Sequence, residues 1–256
     1  MNNFFKKKVF YLLKNSYIHI PYVGYITERK IWDSGIKSWD DFDVNKVNLP
    51  SFRCKHIKKF VDISAKCLGE GNYSFFSSLL PRHEHWRCLP DFPKIAYLDI
   101  ETTGLDKAND DITMIGVYDG NNVRTFVRGK DFLSFKDYIA SFPMIVTFNG
   151  SCFDLPFLSS KFKINFKQIH LDLRFAFRKL GITGGLKNIE REFELERSSE
   201  TRNLDGFDAV HLWHDYVRGD DSALELLKRY NTEDITGLKI LANKAYEMLR
   251  KELKYE

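Results

Sequence analysis

The sequence has few of the features that mark secreted or membrane-spanning proteins. It contains only 4 cysteines among 256 residues, which is too few for a disulfide-stabilised scaffold, so we expect a reducing, cytoplasmic location. No apolar run approaches the ~20 residues that cross a bilayer, and no membrane partner is expected. Internal repeats and low-complexity tracts are lacking as well, which argues against a repeat protein or a fibrous one.

The composition instead indicates a folded and mildly basic protein. Hydrophobic residues make up 43% of the chain, charged residues make up 29%, and the formal net charge is +4. These proportions suit a globular core and exclude a disordered chain. The charge permits a polyanionic partner without requiring one. The segment Met1–Asn15 is too short and too charged for a signal peptide, and we expect a basic amphipathic helix there.

The stretch Lys94–Leu105 carries the clearest chemical signal. Ile95–Leu98 has the length and composition of a buried strand, and Asp99 and Glu101 stand at its end. Because strand side chains alternate between faces, the two carboxylates point the same way. They repel each other and lose hydration unless a cation shares the site, and carboxylate oxygens suit Mg²⁺ or Mn²⁺. An acidic pair that merely caps the strand and its turn is the alternative.

Two further acidic positions follow later in the chain. Asp154 lies just inside a helix, after an apolar strand over Met144–Phe148, where α/β sheets place their sites. On its own, Asp154 is more simply a partner of the helix dipole. Tyr230 and Asp234 lie four positions apart in a long helix predicted over Ser222–Glu252, so they share one helix face.

The order of the other elements predicts a mixed α/β sheet. Two β-rich runs in Asp111–Arg128 flank a hairpin turn at Asp119–Asn122, and Phe132–Ala140 has helical spacing. A strand over Gln168–Leu171 is followed mostly by helix. Three antiparallel strands followed by alternating helices and strands predict a sheet with helices on both faces.

The segment His19–Phe42 predicts two helices joined by a turn. The first extends from Gly24–Tyr25 to a stop at Gly35, and the second begins with a capping box at Ser38. This pattern resembles the helix-hairpin-helix motif, in which N–H groups at a helix start meet a DNA phosphate. Tyr22 stands where that motif has its first hairpin glycine. A small packing module is therefore an equal alternative to a DNA contact.

These patterns divide the chain into three parts. A helical, helix-hairpin-helix-like region covers 1–50, a linker with a helix covers 51–93, and the main domain covers 94–256. Within the middle part, Lys58–Leu68 has helical spacing and Pro81–Pro93 is expected to form an extended linker. This part also holds residues able to bind a structural metal, although no compact zinc-finger spacing is present: Cys54, His56, Cys67, His83, His85 and Cys88.

Three stretches taken together resemble the motifs of the DEDD exonuclease superfamily, which has a ribonuclease H-like fold. They read YLDIETTGL, NGSCFDLPFL and YNTED. Tyr230 stands four positions before Asp234, and this spacing resembles the third motif of the tyrosine (DEDDy, DnaQ-like) branch. The histidine branch would carry His at the position of Arg229. The fuller pattern is similar to the prokaryotic YprB-like group, through HIPYVGYITERKIWDSGIKSWDDF, HLDLR, GLKNIE and GFDAVHLW.

The resemblance implies a metal-dependent 3′–5′ exonuclease with no small-molecule cofactor. Two divalent cations, Mg²⁺ or Mn²⁺, would be bound by four carboxylates: Asp99, Glu101, Asp154 and Asp234. Tyr230 would orient or deprotonate the attacking water. The resemblance also implies a pocket for the terminal nucleotide, formed by Thr102, Thr103, Leu105, Asn149 and Phe153.

We expect single-stranded DNA to be the substrate, because one end of a single strand must enter such a site and aromatic contacts tolerate any base. RNA is the alternative within this class. Two other classes stay open: a catalytically weak nucleic-acid-binding module and a structure-selective endonuclease. Among the remaining acids, Asp172 at the end of the Gln168–Leu171 strand is expected to cap a helix or to support the ligands. His170, His211 and His214 are expected to pack or to lie on the surface.

Overall fold

The structure is a computed structural model that describes residues 12–253. The amphipathic helix predicted over Met1–Asn15 therefore lies almost wholly outside the described residues. Within them, no helix is both long and apolar enough to cross a membrane. All 4 cysteines are free thiols.

A five-stranded mixed sheet forms the centre of the molecule. Its strands are β1 (Ile95–Thr102), β2 (Ile112–Tyr118), β3 (Val123–Val127), β4 (Met144–Thr147) and β5 (Ile169–Asp172). The spatial order is β3-β2-β1-β4-β5, antiparallel from β3 to β1 and parallel from β1 to β5. The predicted strands are confirmed, and so is the turn between β2 and β3, where Gly120 adopts φ 98°.

Nine α-helices accompany the sheet within residues 12–253. They are α1 (Tyr25–Asp33), α2 (Ser51–Gly69), α3 (Ser74–Leu79), α4 (Phe135–Ala140), α5 (Asp154–Phe162), α6 (Leu173–Lys179), α7 (Leu186–Glu192), α8 (Gly206–Val217) and α9 (Asp221–Glu252). The predicted helix Lys58–Leu68 lies within α2, and the long C-terminal helix is α9.

Alternation along β1 divides the core between the two faces of the sheet. Ala96, Leu98 and Ile100 pack with side chains of α4 and α5 on one face, while Tyr97 packs on the other face in a cluster that includes α9. The prediction of a sheet covered on both faces is confirmed. By the same alternation, Asp99 belongs to the α9 face.

The helical start of the chain differs from the prediction in one element. α1 follows Gly24 and ends before Gly35, which has φ 82°, as predicted. The second helix predicted from Ser38 is wrong, because only one 3₁₀ turn forms over Trp39–Asp41. The Ser38 hydroxyl donates to the carboxylate of Asp41 at 2.8 Å and caps no backbone N–H group. The residues therefore bond to each other and do not start a helix.

The extended linker predicted over Pro81–Pro93 is also wrong. Residues Arg82–Cys88 form a 3₁₀ helix in which Glu84 to Cys88 are all buried. The ring of His85 meets the backbone of His170, the edge strand's second residue, and so covers that edge. Trp86 belongs to a hydrophobic cluster that continues from the N-terminal helices to α9. This segment is part of the core.

A buried ionic cluster joins α1, the 3₁₀ helix Arg82–Cys88 and α6. Arg87 donates from Nη1 to both oxygens of Glu28 at 2.9 and 3.0 Å, and from Nε to Oε2 of Glu84 at 2.5 Å. Lys179 of α6 donates to Oε1 of Glu84 at 2.9 Å. Nearby positive charge, chiefly that of Arg87, lowers the pKa of Glu84 against the opposing effect of its burial.

We predict that Arg87→Met destabilises the protein by about 3–5 kcal/mol, because two carboxylates remain buried without their main partner. The free energy of unfolding in urea measures this loss. The matched control is Arg218→Met, which removes an exposed pair with Asp215 and is expected to cost under about 1 kcal/mol. Equal losses in the two variants would contradict the structural role of Arg87.

Candidate active site

Three of the predicted carboxylates converge at the carboxyl end of β1. Asp99 and Glu101 come from β1 and Asp234 comes from α9, and one oxygen of each lies within 4.8 Å of the others. Glu101 and Asp234 are buried, and Asp99 is half-buried. The alternation expected from the sequence therefore places both strand acids on the face where α9 supplies the third.

The fourth carboxylate comes from the first residue of α5, the helix whose apolar residues pack on the opposite face of the sheet. α5 begins at Asp154, and Oδ1 of this buried residue accepts the N–H of Ile100 at 3.1 Å. Asp154 is outside the group of three, but its negative charge raises the pKa of both Asp99 and Glu101. All four predicted carboxylates therefore belong to one electrostatic cluster.

An asparagine that the sequence analysis missed fixes the position of Asp99. Asn231 is fully buried on α9 and donates from Nδ2 to Oδ2 of Asp99 at 2.9 Å. It can lie this close because Gly116, opposite Asp99 on β2, has no side chain. A Cβ at Gly116 would be 1.8 Å from Oδ1 of Asn231. The signal was an isolated glycine inside a strand, which often marks such a close approach.

A second missed residue pairs with Asp234. Arg197, from the connection between α7 and α8, donates from Nη2 to Oδ1 of Asp234. It also forms a two-pronged ion pair with Glu190, with donor–acceptor distances of 2.7 and 2.9 Å. The connecting segment has no recognisable motif, so only the tertiary structure reveals this contact.

Burial is the main cause that raises the pKa of these carboxyl groups. It raises the pKa of Asp154 to about 7, with further increases from Asp172 and Asp234. It raises the pKa of Asp234 to about 6, although Arg197 opposes the shift. Burial and the neighbouring acids raise the pKa of Asp99 and of Glu101 well above the usual range. A cation within the cluster would relieve both the repulsion and the lost hydration.

Tyr230 lies one helical turn before Asp234 and is almost fully buried. Its ring is 5.0 Å from Nζ of Lys187 and 5.6 Å from the guanidinium carbon of Arg197, measured to the ring centroid. Burial, followed by the charge of Asp234, raises the pKa of the Tyr230 hydroxyl above its usual range. The side chain is consequently a neutral phenol at neutral pH.

The residues predicted to form a nucleotide pocket lie on two loops at the same edge of the sheet. Thr102 and Thr103 bond within the loop after β1, to the carbonyl of Gly104 and the carboxylate of Asp110. Leu105 of that loop is 77% exposed.

In the loop before α5, Asn149 accepts from Nη1 of Arg174 at 2.8 Å, and Phe153 contacts the ring of Phe157. Because β1 and β4 are parallel, both loops leave the sheet beside the carboxylates.

Asp172 acts as the predicted helix cap. Its side chain accepts from the N–H of Arg174 at the start of α6, and from the N–H groups of Asn149 and Ser151 at 2.8 and 2.9 Å. It therefore holds the loop that leads to Asp154.

The histidines lie where the sequence analysis expects packing or surface. His170 bonds to the hydroxyl of Thr147 at 2.9 Å, and His211 and His214 are exposed.

The donor set fits a hard divalent cation. Oε1 of Glu101 is buried and has no hydrogen-bond partner, and the group consists only of carboxylate oxygens, which Mg²⁺ and Mn²⁺ prefer.

The cysteine and histidine residues suggested for a structural zinc form no such group within residues 12–253. Cys54 instead donates weakly to the carbonyl groups of Val47 and Leu49.

We predict that Mn²⁺ raises the melting temperature of the protein, since it binds the folded carboxylates and neutralises their repulsion. The stabilisation reaches about 2.7 kcal/mol at a hundredfold excess over the dissociation constant. In chelator, stability should fall as the pH rises through the pKa values of about 6 and 7. A carboxyl group whose pKa is raised by folding favours the folded state only while it is protonated.

Asp99→Asn is the test variant for this prediction. It removes one repelling charge, so in chelator its melting temperature should equal or exceed that of the wild type, while the increase with Mn²⁺ should disappear. A wild-type increase with Mn²⁺ that persists in Asp99→Asn would show that the ion binds elsewhere.

Comparisons with known proteins agree with this architecture. A family model described as the RNase H superfamily matches residues 96–246. The family B DNA polymerase of the hyperthermophilic archaeon Pyrobaculum calidifontis is similar in structure, with a TM-score of 0.50 and 20% sequence identity. The similarity covers 59% of this chain and 24% of the polymerase, and it concerns the fold. Among curated proteins, none matches the sequence. The chain belongs to the RNase H superfamily.

Proposed function

We propose that the protein is a metal-dependent 3′–5′ exonuclease of the DEDDy type that hydrolyses single-stranded nucleic acid. The observation that carries the proposal is the convergence of Asp99, Glu101 and Asp234, with oxygens within 4.8 Å of one another, beside the buried Tyr230. Membership of the RNase H superfamily supports a nuclease. The direction of cleavage and the branch rest on the resemblance of the three sequence motifs.

The proposed site binds two divalent cations, Mg²⁺ or Mn²⁺. Bound ions of this kind polarise the phosphoryl group and lower the pKa of a water molecule. Asp99, Glu101 and Asp234 offer the converging oxygens, and Asp154 adds a carboxylate from the start of α5, beside Ile100 of β1. Asn231 holds Asp99 through the bond from Nδ2, so this ligand keeps its orientation. Arg197 holds Asp234 in the same way.

In this proposal Tyr230 orients the attacking water. In accord with the motif resemblance, its hydroxyl hydrogen-bonds this water or accepts its proton. The cationic side chains of Lys187 and Arg197 beside its ring restrict where the ring can move.

The terminal nucleotide would occupy the edge where the loops after β1 and β4 meet. Thr102, Thr103 and Leu105 supply one wall of this pocket, and Asn149 and Phe153 supply the other. The exposed Leu105 side chain offers an apolar contact to a base of any identity. We propose single-stranded DNA as the substrate, with RNA as the alternative.

The deciding assay uses 5′-labelled and 3′-labelled single strands of DNA and RNA, with Mn²⁺ and then with chelator. Removal of mononucleotides from the 3′ end, dependent on the metal, supports the proposal. A circular single strand must remain intact, because cleavage of a circle would indicate an endonuclease. Binding without any product in Mn²⁺ would indicate a catalytically inactive binding module.

We predict that Asp99→Ala abolishes metal-dependent hydrolysis without unfolding the protein. The variant loses a ligand whose position is fixed by both β1 and Asn231. Initial rates in Mn²⁺ and the circular dichroism spectrum measure the two parts of the prediction. Asp62→Ala, on the exposed side of α2, is the control and should cleave at the wild-type rate. Undiminished cleavage by Asp99→Ala would refute the proposed site.

We predict that Tyr230→Phe slows hydrolysis by about 10²–10⁴-fold, which is the usual effect of losing a positioned proton partner. The change removes only the hydroxyl, so the affinity for Mn²⁺, measured by calorimetry, should stay as in the wild type. Tyr216→Phe on α8 serves as the control. A wild-type rate in Tyr230→Phe would exclude a role for this hydroxyl.

A further inference from the structure

A cavity of about 1140 Å³ lies along β5, the edge strand of the sheet. Its walls come from α3, α5, α6 and the 3₁₀ helix Arg82–Cys88. We call it the β5 groove. Its volume exceeds the roughly 300–1,000 Å³ that enclose one small ligand. None of the four carboxylates of the proposed active site lines it, so it is a separate feature that the proposed mechanism does not use.

The β5 groove carries positive charge that the protein does not neutralise. Four cationic side chains line it: Arg82, Lys167, Arg178 and Lys179. Only Lys179 has an acidic partner among residues 12–253, namely Glu84 at 2.9 Å. The groove's acidic residue, Asp172, is occupied by the backbone N–H groups that it accepts. The side chains of Arg82, Lys167 and Arg178 are exposed and remain available to an anion.

Apolar and aromatic side chains accompany these charges. Phe175 lines the groove and is 44% exposed, and Leu155 and Trp86 lie in the same lining. Trp86 is 98% buried, since 2% of it is exposed, yet its Nε1–H has no acceptor. A buried N–H group without a partner costs about 1–3 kcal/mol. Among these side chains, the exposed ring of Phe175 is the one on which a planar group can stack.

One end of the groove reaches the proposed active site. Ser151 and Asp172 are lining residues, and Asp172 accepts the N–H of Ser151 in the loop that leads to Asp154. At the other end of β5, Lys167 and Gln168 also line the groove. Because β1, β4 and β5 are parallel, the Asp172 end of β5 lies at the same end of the sheet as Glu101, where these strands finish. The groove thus follows the strand towards the carboxylates.

We propose that the β5 groove binds the single-stranded nucleic acid that extends away from the phosphodiester being cleaved. Arg82, Lys167 and Arg178 bind backbone phosphates, and Phe175 stacks against a base. Cations without acidic partners in the same groove as an exposed aromatic ring favour a single strand, since stacking and phosphate contacts tolerate any sequence. This inference rests on the proposed nuclease function and specifies the path of its substrate.

The test compares two triple variants of the full chain. Arg82→Gln/Lys167→Gln/Arg178→Gln removes three charges from the groove. Its matched control removes three charges from exposed lysines outside the groove lining, none with an ion pair among residues 12–253: Lys30→Gln, Lys136→Gln and Lys251→Gln. Fluorescence anisotropy in chelator measures binding without cleavage, using one labelled DNA strand of about 20 nucleotides and one of about 4 nucleotides.

We expect the groove variant to bind the longer strand at least about tenfold more weakly than the control triple. The slope of log affinity against log salt should become shallower by about 2, because each phosphate contact on a single strand contributes roughly 0.7. The wild type should prefer the longer strand over the shorter one, and in the groove variant this preference should be smaller by the same factor. Phe175→Ala should weaken binding by about fivefold or more through lost stacking.

Equal affinities in the two triple variants would overturn the proposal. If the groove triple fails to fold by circular dichroism, Phe175→Ala decides alone, and unchanged binding by that exposed-site variant overturns the proposal as well. Failure of the groove proposal can be distinguished from failure of the proposed nuclease function. A wild-type protein that hydrolyses no strand in Mn²⁺ can still be tested for binding in chelator.

Discussion

The structure depends on the close approach of α9 to the β1–β2 pair, against the repulsion of the acids that this approach brings together. Gly116 makes the approach possible, since any larger residue would collide with Asn231. Asn231 then donates to Asp99, while Asp234 comes within 4.8 Å of the two strand acids. Apolar packing of α9 against the sheet must outweigh the cost of burying these carboxylates. A divalent cation would remove most of that cost.

Two arginines compensate negative charge at two distant places, with different consequences. Arg87 is fully buried between Glu28 and Glu84. Glu84 also pairs with Lys179, so these ion pairs connect α1 with α6. Arg197 instead bridges Glu190 and Asp234 at the candidate site, where it opposes the effect of burial on the pKa of Asp234. The first cluster maintains the fold, and the second partly offsets the rise that burial causes in the pKa of a proposed ligand.

The segment just before β1 also shapes the surface around the sheet. The 3₁₀ helix Arg82–Cys88 covers the edge of β5 through His85, and it contributes Arg82 and Trp86 to the β5 groove. A sheet edge without this cover would expose unpaired backbone groups. The same packing that closes the edge therefore forms a cationic groove that ends beside the loop of Asp154. Fold and proposed substrate path have a common origin in this segment.

The sequence by itself determined where the strands and α9 form and where the acids stand in them, because periodicity and turn residues act over a few neighbours along the chain. Asp99 and Glu101 shared a face for that reason. The sequence did not reveal the contacts of Asn231 and Arg197 or the β5 groove, because these join residues that are far apart in the chain. The linker predicted over Pro81–Pro93 was wrong because burial by distant helices outweighed its local proline pattern. Only tertiary packing decides which separated charges and rings meet.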